Sequence, residues 1–421
     1  MSSALIYISL FSGLYFQIFM LVTFIEGLLK DKENSKKSPI NPSPKELPTV
    51  SIIVPCFNEE KTVIGTLKSL MQLNYPKDKF SVVFVDDGSR DNTYAKVERF
   101  AVKYAGRIKV MQQKNQGKHV AVNNAISVIN SEIVGCLDAD SYVSSDALLK
   151  MIPYFTDQKV MAVTPAMKVF KPSSILEKMQ KAEYDIGIFF KKIFGDLNAI
   201  HVTPGPFSLF RRSIFDKIGL FKKAYNTEDM EIAFRIQSHK GLIKNCPNAY
   251  VYTVPPKTIK KLYVQRTRWV YGFINNCLDY RHIFFNKEYG HMGMLTLPIS
   301  ALSIALAILL FGNTLFEMGK NIYNSLETWY SAGAEIPTWT QISNYFNFDL
   351  FFVNTSAFML LSILLLAMMI AIFLISKKMS DGKMRPTIDM IYFALIYSWL
   401  APLWIMKAVY NTMFRKATPW R

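Results

Sequence analysis

The chain has 421 residues, 50% of them hydrophobic, with 49 Lys+Arg against 32 Asp+Glu and four Cys. Three runs free of Asp, Glu, Lys and Arg, Met1–Ile25, Tyr289–Phe316 and Leu350–Ser376, each reach the roughly 20 residues that cross hydrocarbon, which excludes a fully soluble protein. Residues 30–290 hold 40 basic and 25 acidic side chains; beside apolar spans, that surplus suits lipid headgroups and phosphorylated substrates and argues against nucleic acid as a partner.

Residues 1–29 read as a membrane anchor, because no Lys or Arg precedes Lys30 and the apolar run is longer than a signal-peptide core. The stretch 30–48, rich in charge, Ser and Pro, reads as a flexible linker. A strand is then expected at Thr49–Pro55, whose β-branched run suits burial on both faces, followed by a helix capped by Asn58 and running to about Gln72. The rhythm repeats with a strand at Phe80–Val85, a helix at Asp91–Tyr104, a strand at Ile108–Gln112, a helix after Lys118 and a strand at Ile133–Leu137. Strands alternating with helices imply an α/β domain, residues 49–254, built on a doubly wound, mostly parallel sheet.

An amphipathic interfacial segment follows at 255–290, with transmembrane segments at 291–316 and 350–376. A further apolar segment, 388–410, carries Pro402 and reads as a span or a re-entrant element. Basic residues stay on the cytoplasmic side. The 317–349 loop has four acidic residues and only Lys320, whereas the next loop has Lys377, Lys378, Lys383 and Arg385. A multi-pass cell-membrane protein with 317–349 outside and the 30–290 domain in the cytoplasm is therefore expected. The basic tail, 411–421, conflicts with four crossings.

Cys56, Cys136, Cys246 and Cys277 are far apart and form no C-x-x-C, and the five His form no H-E-x-x-H, so neither disulfides nor zinc are indicated.

In doubly wound sheets ligands bind beyond the carboxyl ends of the strands. Those positions here are Pro55-Cys56-Phe57-Asn58-Glu59, Asp86-Asp87-Gly88-Ser89 and Asp138-Ala139-Asp140. No glycine-rich dinucleotide or P-loop pattern occurs at them. The Asp138/Asp140 spacing can offer hard oxygens to Mg2+ or Mn2+, while Asp87 beside Gly88 can equally be a turn-capping acid.

The ordered set PCFNEE, VFVDDGSRDNT, NQGKHVAVNNAI and CLDADS resembles a family-2-type GT-A glycosyltransferase. GPFSLFRRS, NTEDMEIAFRI and Gln265-Arg266-Thr267-Arg268-Trp269 extend the likeness, over about Thr49–Phe273, to membrane-embedded processive polysaccharide synthases. By layout the chain is most similar to bacterial poly-N-acetylglucosamine synthases, with hyaluronan, chitin and cellulose synthases as relatives. The resemblance implies that Pro55, Asn58, Glu59, Asp87, Lys118, Asp138, Gln265 and Arg268 bind the donor. Gly205, Pro206 and Trp269 would meet the acceptor, Asp138 and Asp140 would hold the metal, and Glu228 and Asp229 of T-E-D would be catalytic, with Asp229 the base.

From the residues alone, Asp229 lies in the first turn of a helix capped by Asn226 or Thr227, where a carboxylate complements the helix dipole. The dipole lowers its pKa, so a base role needs burial or a nearby acid. Gln265, Arg268 and Trp269 share a helix face and Arg266 points elsewhere; the same helix could instead lie at the interface with Arg snorkelling. The implied reaction is inverting transfer of a sugar, best UDP-GlcNAc, to a growing polysaccharide. Transfer of one sugar to a lipid-linked acceptor, and an inactive channel or scaffold, are the alternatives. Three trailing segments are few for a polymer channel, which points to a homo-oligomer or an accessory membrane protein as an additional partner.

Overall fold

The computed structural model describes residues 2–37, 46–331 and 357–418. Helix α1 spans Ser2–Lys37. It therefore runs past 29 into the stretch read as a linker, where Asp31 meets Lys192 at 2.8 Å; residues 38–45 lie outside the described residues.

The α/β domain then unfolds in order: β1 Val50–Cys56, α2 Val63–Met71, β2 Phe80–Asp86, α3 Thr93–Val102, β3 Ile108–Gln112, α4 Lys118–Ile126, β4 Ile133–Cys136, β5 Ser141–Val143, α5 Ala147–Met151, β6 Val160–Val169, α6 Ile175–Asp196, β7 Ser208–Arg211, α7 Ser213–Ile218, α8 Glu228–Ser238, β8 Leu242–Thr253 and α9 Ile259–Asp279. The strands form one sheet in the order β3-β2-β1-β4-β7-β6-β8-β5. β1 to β4, β6 and β8 share one direction, while β7 and β5 run against it.

The sheet is buried on both sides, and the two-residue period of a strand divides its side chains between two cores. Ile52, Val54, Val82 and Phe84 enter one, with Leu67 and Leu70 of α2; Ile53, Val83 and Val85 enter the other, with Ala121, Val122 and Ile232. Reversal of β7 decides where the site forms. Because Ser208 pairs with Cys136, β7 begins at the edge where β4 ends, and the loop before it is delivered beside Asp138.

The membrane-directed helices are α10 Leu297–Ser331, entered through a π-helical turn at Met292–Thr296, and α11 Ala357–Asp381. They are followed by α12 Ile388–Tyr392 and α13 Ser398–Met413, joined by a second π turn, Phe393–Tyr397. Among the described residues, four helices are long and apolar enough to cross a membrane: Ile6–Glu33, Met292–Ser331, Ala357–Asp381 and Ile388–Met413. The second has 40 residues, about 60 Å of helix against roughly 30 Å of hydrocarbon, and so stays helical into the segment read as an external loop. Residues 332–356 lie outside the described residues.

The chain forms two compact units, Met1–Leu21 with Ala301–Ala371, and Val22–Ser300 with Ile372–Arg421. In the first, Tyr7 meets Phe358 edge-on and Gly13 admits Leu365. In the second, α6 is clasped by charge: Lys377 reaches Asp185 at 3.2 Å and Asp389 at 2.9 Å, and Lys181 reaches Asp185 at 2.7 Å and Asp381 at 2.9 Å.

Candidate active site

The loops after β1 and β2 are knitted together. Pro55 is a β1 residue paired with Val85. Asn58 does not cap α2, contrary to the sequence reading: it is left-handed at φ 56, and the helix starts five residues later, after Thr62. Its side-chain oxygen instead accepts from Arg90 N at 2.8 Å, and its own N donates to Ser89 Oγ at 2.9 Å. Glu59 N donates to Thr93 Oγ1 at 2.9 Å, and its carboxylate accepts from Thr62 Oγ1 at 2.9 Å.

Asp87, 4% exposed, accepts from Gln113 Nε2, Gln116 N and Gly117 N at 2.8, 2.9 and 2.9 Å. The acid thus shapes the 113–117 loop leading into α4. Three of about four lone-pair positions on a carboxylate are used, which leaves one for a donor N–H.

At the end of β4 the predicted residues converge. Lys118 Nζ, at the start of α4, lies 2.6 Å from Asp138 Oδ1 and 3.4 Å from Glu228 Oε1. Burial alone would lower its pKa, but Asp138 and Glu228 outweigh it and hold the amine well above its ordinary value. Gly205 closes the group. A Cβ there would come within 2.6 Å of Lys118 Nζ and 2.9 Å of Asp138 Oδ2, so only glycine admits this approach. The loop is fixed by Thr203, whose N and Oγ1 both donate to the Asp229 carbonyl at 3.0 and 2.9 Å, by Ser208 Oγ donating to Pro204 O at 2.6 Å, and by buried Pro206 and Phe207.

Asp140 follows two residues after Asp138 in the same turn. It accepts from Ser141 Oγ at 3.4 Å, and with burial its charge pushes up the phenols of Tyr142 and Tyr184. Among the described residues no three His, Cys, Asp or Glu side chains gather as a metal cluster. Asp138 and Asp140 are a two-carboxylate set, which suits an ion that completes its shell with phosphate and water.

Asp229 lies in the first turn of α8, after Thr227. Burial, then the neighbouring Glu228, push its pKa up to about 6, against Lys118 and Arg268, which pull it down. The condition for a base is therefore met, because desolvation and a second acid outweigh the dipole.

The three residues before Thr227, Ala224, Tyr225 and Asn226, are all left-handed at φ 36, 59 and 59, a strained turn of the kind functional sites hold. Arg268 Nη1 donates to the Asn226 carbonyl at 2.7 Å. Burial lowers the pKa of Arg268 against Asp229, Glu228 and Asp138. α9 approaches α8 closely because Gly272 faces Thr227 and Asn276 Nδ2 donates to Thr227 Oγ1 at 3.3 Å.

The reading that Arg266 points away from its motif is corrected by the structure. Arg266, 3% exposed, donates to Gln265 Oε1 at 2.6 Å, to Glu183 Oε2 of α6 at 2.6 Å and to the Tyr397 hydroxyl at 3.1 Å, and it covers the Trp269 ring at 4.1 Å. Helical spacing separates i and i+1 but cannot foresee partners 83 and 131 residues away. Nothing in the local sequence around Glu183 or Tyr397 signals that they meet Arg266.

Residues 51–219 match the family model Glycosyl transferase family 2. The Poly-beta-1,6-N-acetyl-D-glucosamine synthase of Staphylococcus epidermidis (strain RP62A) is 32% identical over 267 residues, 62% of this chain and 64% of that protein. The synthase of the same name from Staphylococcus aureus (strain COL) is 32% identical over 269 residues, with the same two shares. The chain thus spans about 64% of the length of these curated relatives. Among solved structures, a mannosyltransferase from Pyrobaculum calidifontis, in complex with GDP-Man and Mn2+, matches with a TM-score of 0.61 at 18% identity, covering 98% of this chain and 99% of that one, a likeness of fold.

Proposed function

We propose that this chain, which carries a Glycosyl transferase family 2 domain, is an inverting membrane glycosyltransferase. It uses a UDP-sugar, best UDP-GlcNAc, to extend an extracellular polysaccharide by β linkages at the cytoplasmic face. The observation that carries the reading is Asp229, a buried acid pushed up to about 6 beside the Lys118, Asp138 and Glu228 group and Arg268.

In this reading Asp229 takes the proton of an acceptor hydroxyl. That oxygen bonds to the anomeric carbon while the bond from this carbon to the diphosphate oxygen breaks, and the nucleoside diphosphate leaves. Arg268 and Lys118 supply positive charge to the leaving group. Asp138 and Asp140 would hold Mg2+ or Mn2+; Asp138 Oδ1 is already engaged by Lys118, so its Oδ2 and Asp140 are the donors on offer. Such an ion, when bound, neutralises charge on the diphosphate.

GlcNAc as the sugar rests on the names of the 32% identical relatives. The cytoplasmic face rests on the loop charges, and membrane lipids are partners through the apolar helices. Full-length protein in proteoliposomes, given UDP-GlcNAc and Mn2+, should release UDP and build a β-linked GlcNAc polymer. An α-linked product would overturn inversion, and a single addition to polyprenyl phosphate would overturn polymerisation. Cysteines introduced singly at the exposed positions Lys383 and Ser331 should label from inside and outside the cell, respectively; the reverse pattern would overturn the orientation.

A further inference from the structure

Helix α2 is tied by its own side chains to the turn that carries Asp138, Ala139 and Asp140. Thr66, fully buried at the middle of the helix, donates from Oγ1 to the Ala139 carbonyl at 2.9 Å. A hydroxyl inside a helix ordinarily bonds back to a carbonyl of the preceding turn, as Ser69 Oγ does to Thr66 O at 2.7 Å. Thr66 instead spends its proton on a residue 73 positions away. Ser69 Oγ also accepts from Val143 N at 3.2 Å. Gly65 permits the close approach, since a Cβ there would meet the Tyr142 ring at 2.8 Å. Gly65, Thr66 and Ser69 share a helix face, and residues 139–143 rest on it.

These bonds matter because of where they fall. Two planar peptide units join Asp138 to Asp140. The first is held by Ser141 N, which donates to the Asp138 carbonyl at 3.0 Å. The second carries the Ala139 carbonyl, and its donor is the Thr66 hydroxyl. Ala139 is 5% exposed, so that carbonyl has little recourse to water and depends on a protein donor. With both planes pinned, the directions in which the two carboxylates leave the backbone are set before an ion arrives, which is what a metal site requires of the groups behind its ligands.

We propose that Thr66 is a positioning residue for the metal: its hydroxyl holds the Ala139–Asp140 peptide, and with it Asp140, in the orientation in which Asp138 and Asp140 serve one ion. Lys118 restrains the other carboxylate, since its amine engages Asp138 Oδ1 at 2.6 Å. Buried and with its hydroxyl spent, Thr66 acts on the ion only through the backbone of the turn, so its loss is felt in metal affinity and not in contact with the nucleotide. The proposal rests on the glycosyltransferase reading and on Asp138 and Asp140 as the metal-holding pair.

The test measures UDP affinity of the full-length protein in Mn2+ and in EDTA, and Mn2+ affinity at saturating UDP from the electron paramagnetic resonance signal of the free ion. Thr66→Val keeps the shape of the side chain and removes the donor. It should weaken Mn2+ binding, and UDP binding in Mn2+, about tenfold, the usual cost of losing a group that orients a metal ligand, while UDP affinity in EDTA stays within twofold of wild type. Thr66→Ser restores the hydroxyl and should bind Mn2+ within about threefold of wild type. Unchanged Mn2+ affinity in Thr66→Val, an equal loss of UDP affinity in Mn2+ and EDTA, or Thr66→Ser as weak as Thr66→Val overturns the proposal. Should Thr66→Val fail to fold, Ser69→Ala carries the same comparison with a loss of about threefold confined to Mn2+, and no such loss overturns it. Wild type that binds UDP equally in Mn2+ and EDTA would overturn the metal role of the turn, and with it this proposal. Wild type that binds no UDP in either would overturn the glycosyltransferase reading itself.

Discussion

Two acidic turns of the same domain differ in how they treat their carboxylates. After β2, Asp87 accepts hydrogen bonds from three donors of a single loop, and its charge shapes that loop. At the start of α8, Asp229 is desolvated beside a second acid, and its pKa rises to about 6. The arginines of α9 divide in the same way. Arg266 is engaged with Gln265, Glu183, Tyr397 and the Trp269 ring, whereas Arg268 donates to the Asn226 carbonyl and lies in the field of Asp229, Glu228 and Asp138. Sequence position made the members of each pair look alike; their surroundings differ.

The hardest test of the contrast is Asp229→Asn. General-base catalysis contributes about 10²- to 10⁴-fold, so transfer should fall by that much while UDP affinity stays near wild type. The pH profile carries the same signature. The base acts unprotonated, so with a folded pKa of about 6 the rate should be flat above that value and fall about tenfold per pH unit below it. Glu228, Lys118, Arg268 and Asp138 face the group and set this midpoint. Near-normal turnover in the variant would reduce Asp229 to a helix-end carboxylate.

Arg268→Ala comes next. Loss of a charge-assisted contact to the diphosphate costs about 1.5–3 kcal/mol, so UDP affinity should weaken roughly ten- to a hundredfold. Unaltered affinity would place Arg268 with Arg266 as a structural residue.

Much of this was legible beforehand. The β-branched runs marked β1 to β4 closely, because strands buried on both faces leave an unbroken apolar signal, and the residues after them did gather at one sheet edge. What escaped depended on distant partners. The reversal of β7 is a pairing fact with no local signature. Asn58 looked like a cap, but its amide is spent on Arg90 of the next loop. The Arg266 cluster draws on α6 and a membrane-directed helix. The helical extensions of α1 and α10 run through polar residues that a hydropathy reading ends at their first charge.

Gly205→Ala sharpens the comparison at a position with no side chain. The added Cβ would sit 2.6 Å from Lys118 Nζ, the mobile end of a long side chain, so the fold should tolerate it while the Lys118–Asp138 pair separates. The melting temperature should stay near wild type and UDP affinity should fall about tenfold, the worth of one charged contact. A large loss of stability with intact affinity would mean that the close approach serves folding alone.

Asp87→Asn should show the opposite balance. An amide keeps the shape but exchanges one acceptor oxygen for a donor facing buried N–H groups, so stability should drop by about 1–3 kcal/mol, more than in Asp229→Asn. Equal melting of the two variants would erase the distinction between the two turns.

The smallest effect is expected at Tyr397→Phe. The hydroxyl takes one of several contacts of the Arg266 guanidinium, at 3.1 Å, while Glu183 holds it at 2.6 Å. One neutral acceptor is worth about 0.5–1.5 kcal/mol, and the Glu183 and Gln265 bonds remain. If Arg266 is a clasp and Arg268 the reactive residue, the variant should leave UDP affinity within about threefold of wild type and lower the melting temperature slightly. Glu183→Gln, which strips the charge from the stronger contact, should lower it further. A fall in UDP affinity as large as that of Arg268→Ala would mean that the clasp sets the reactive geometry directly, and the two arginines would no longer differ in role.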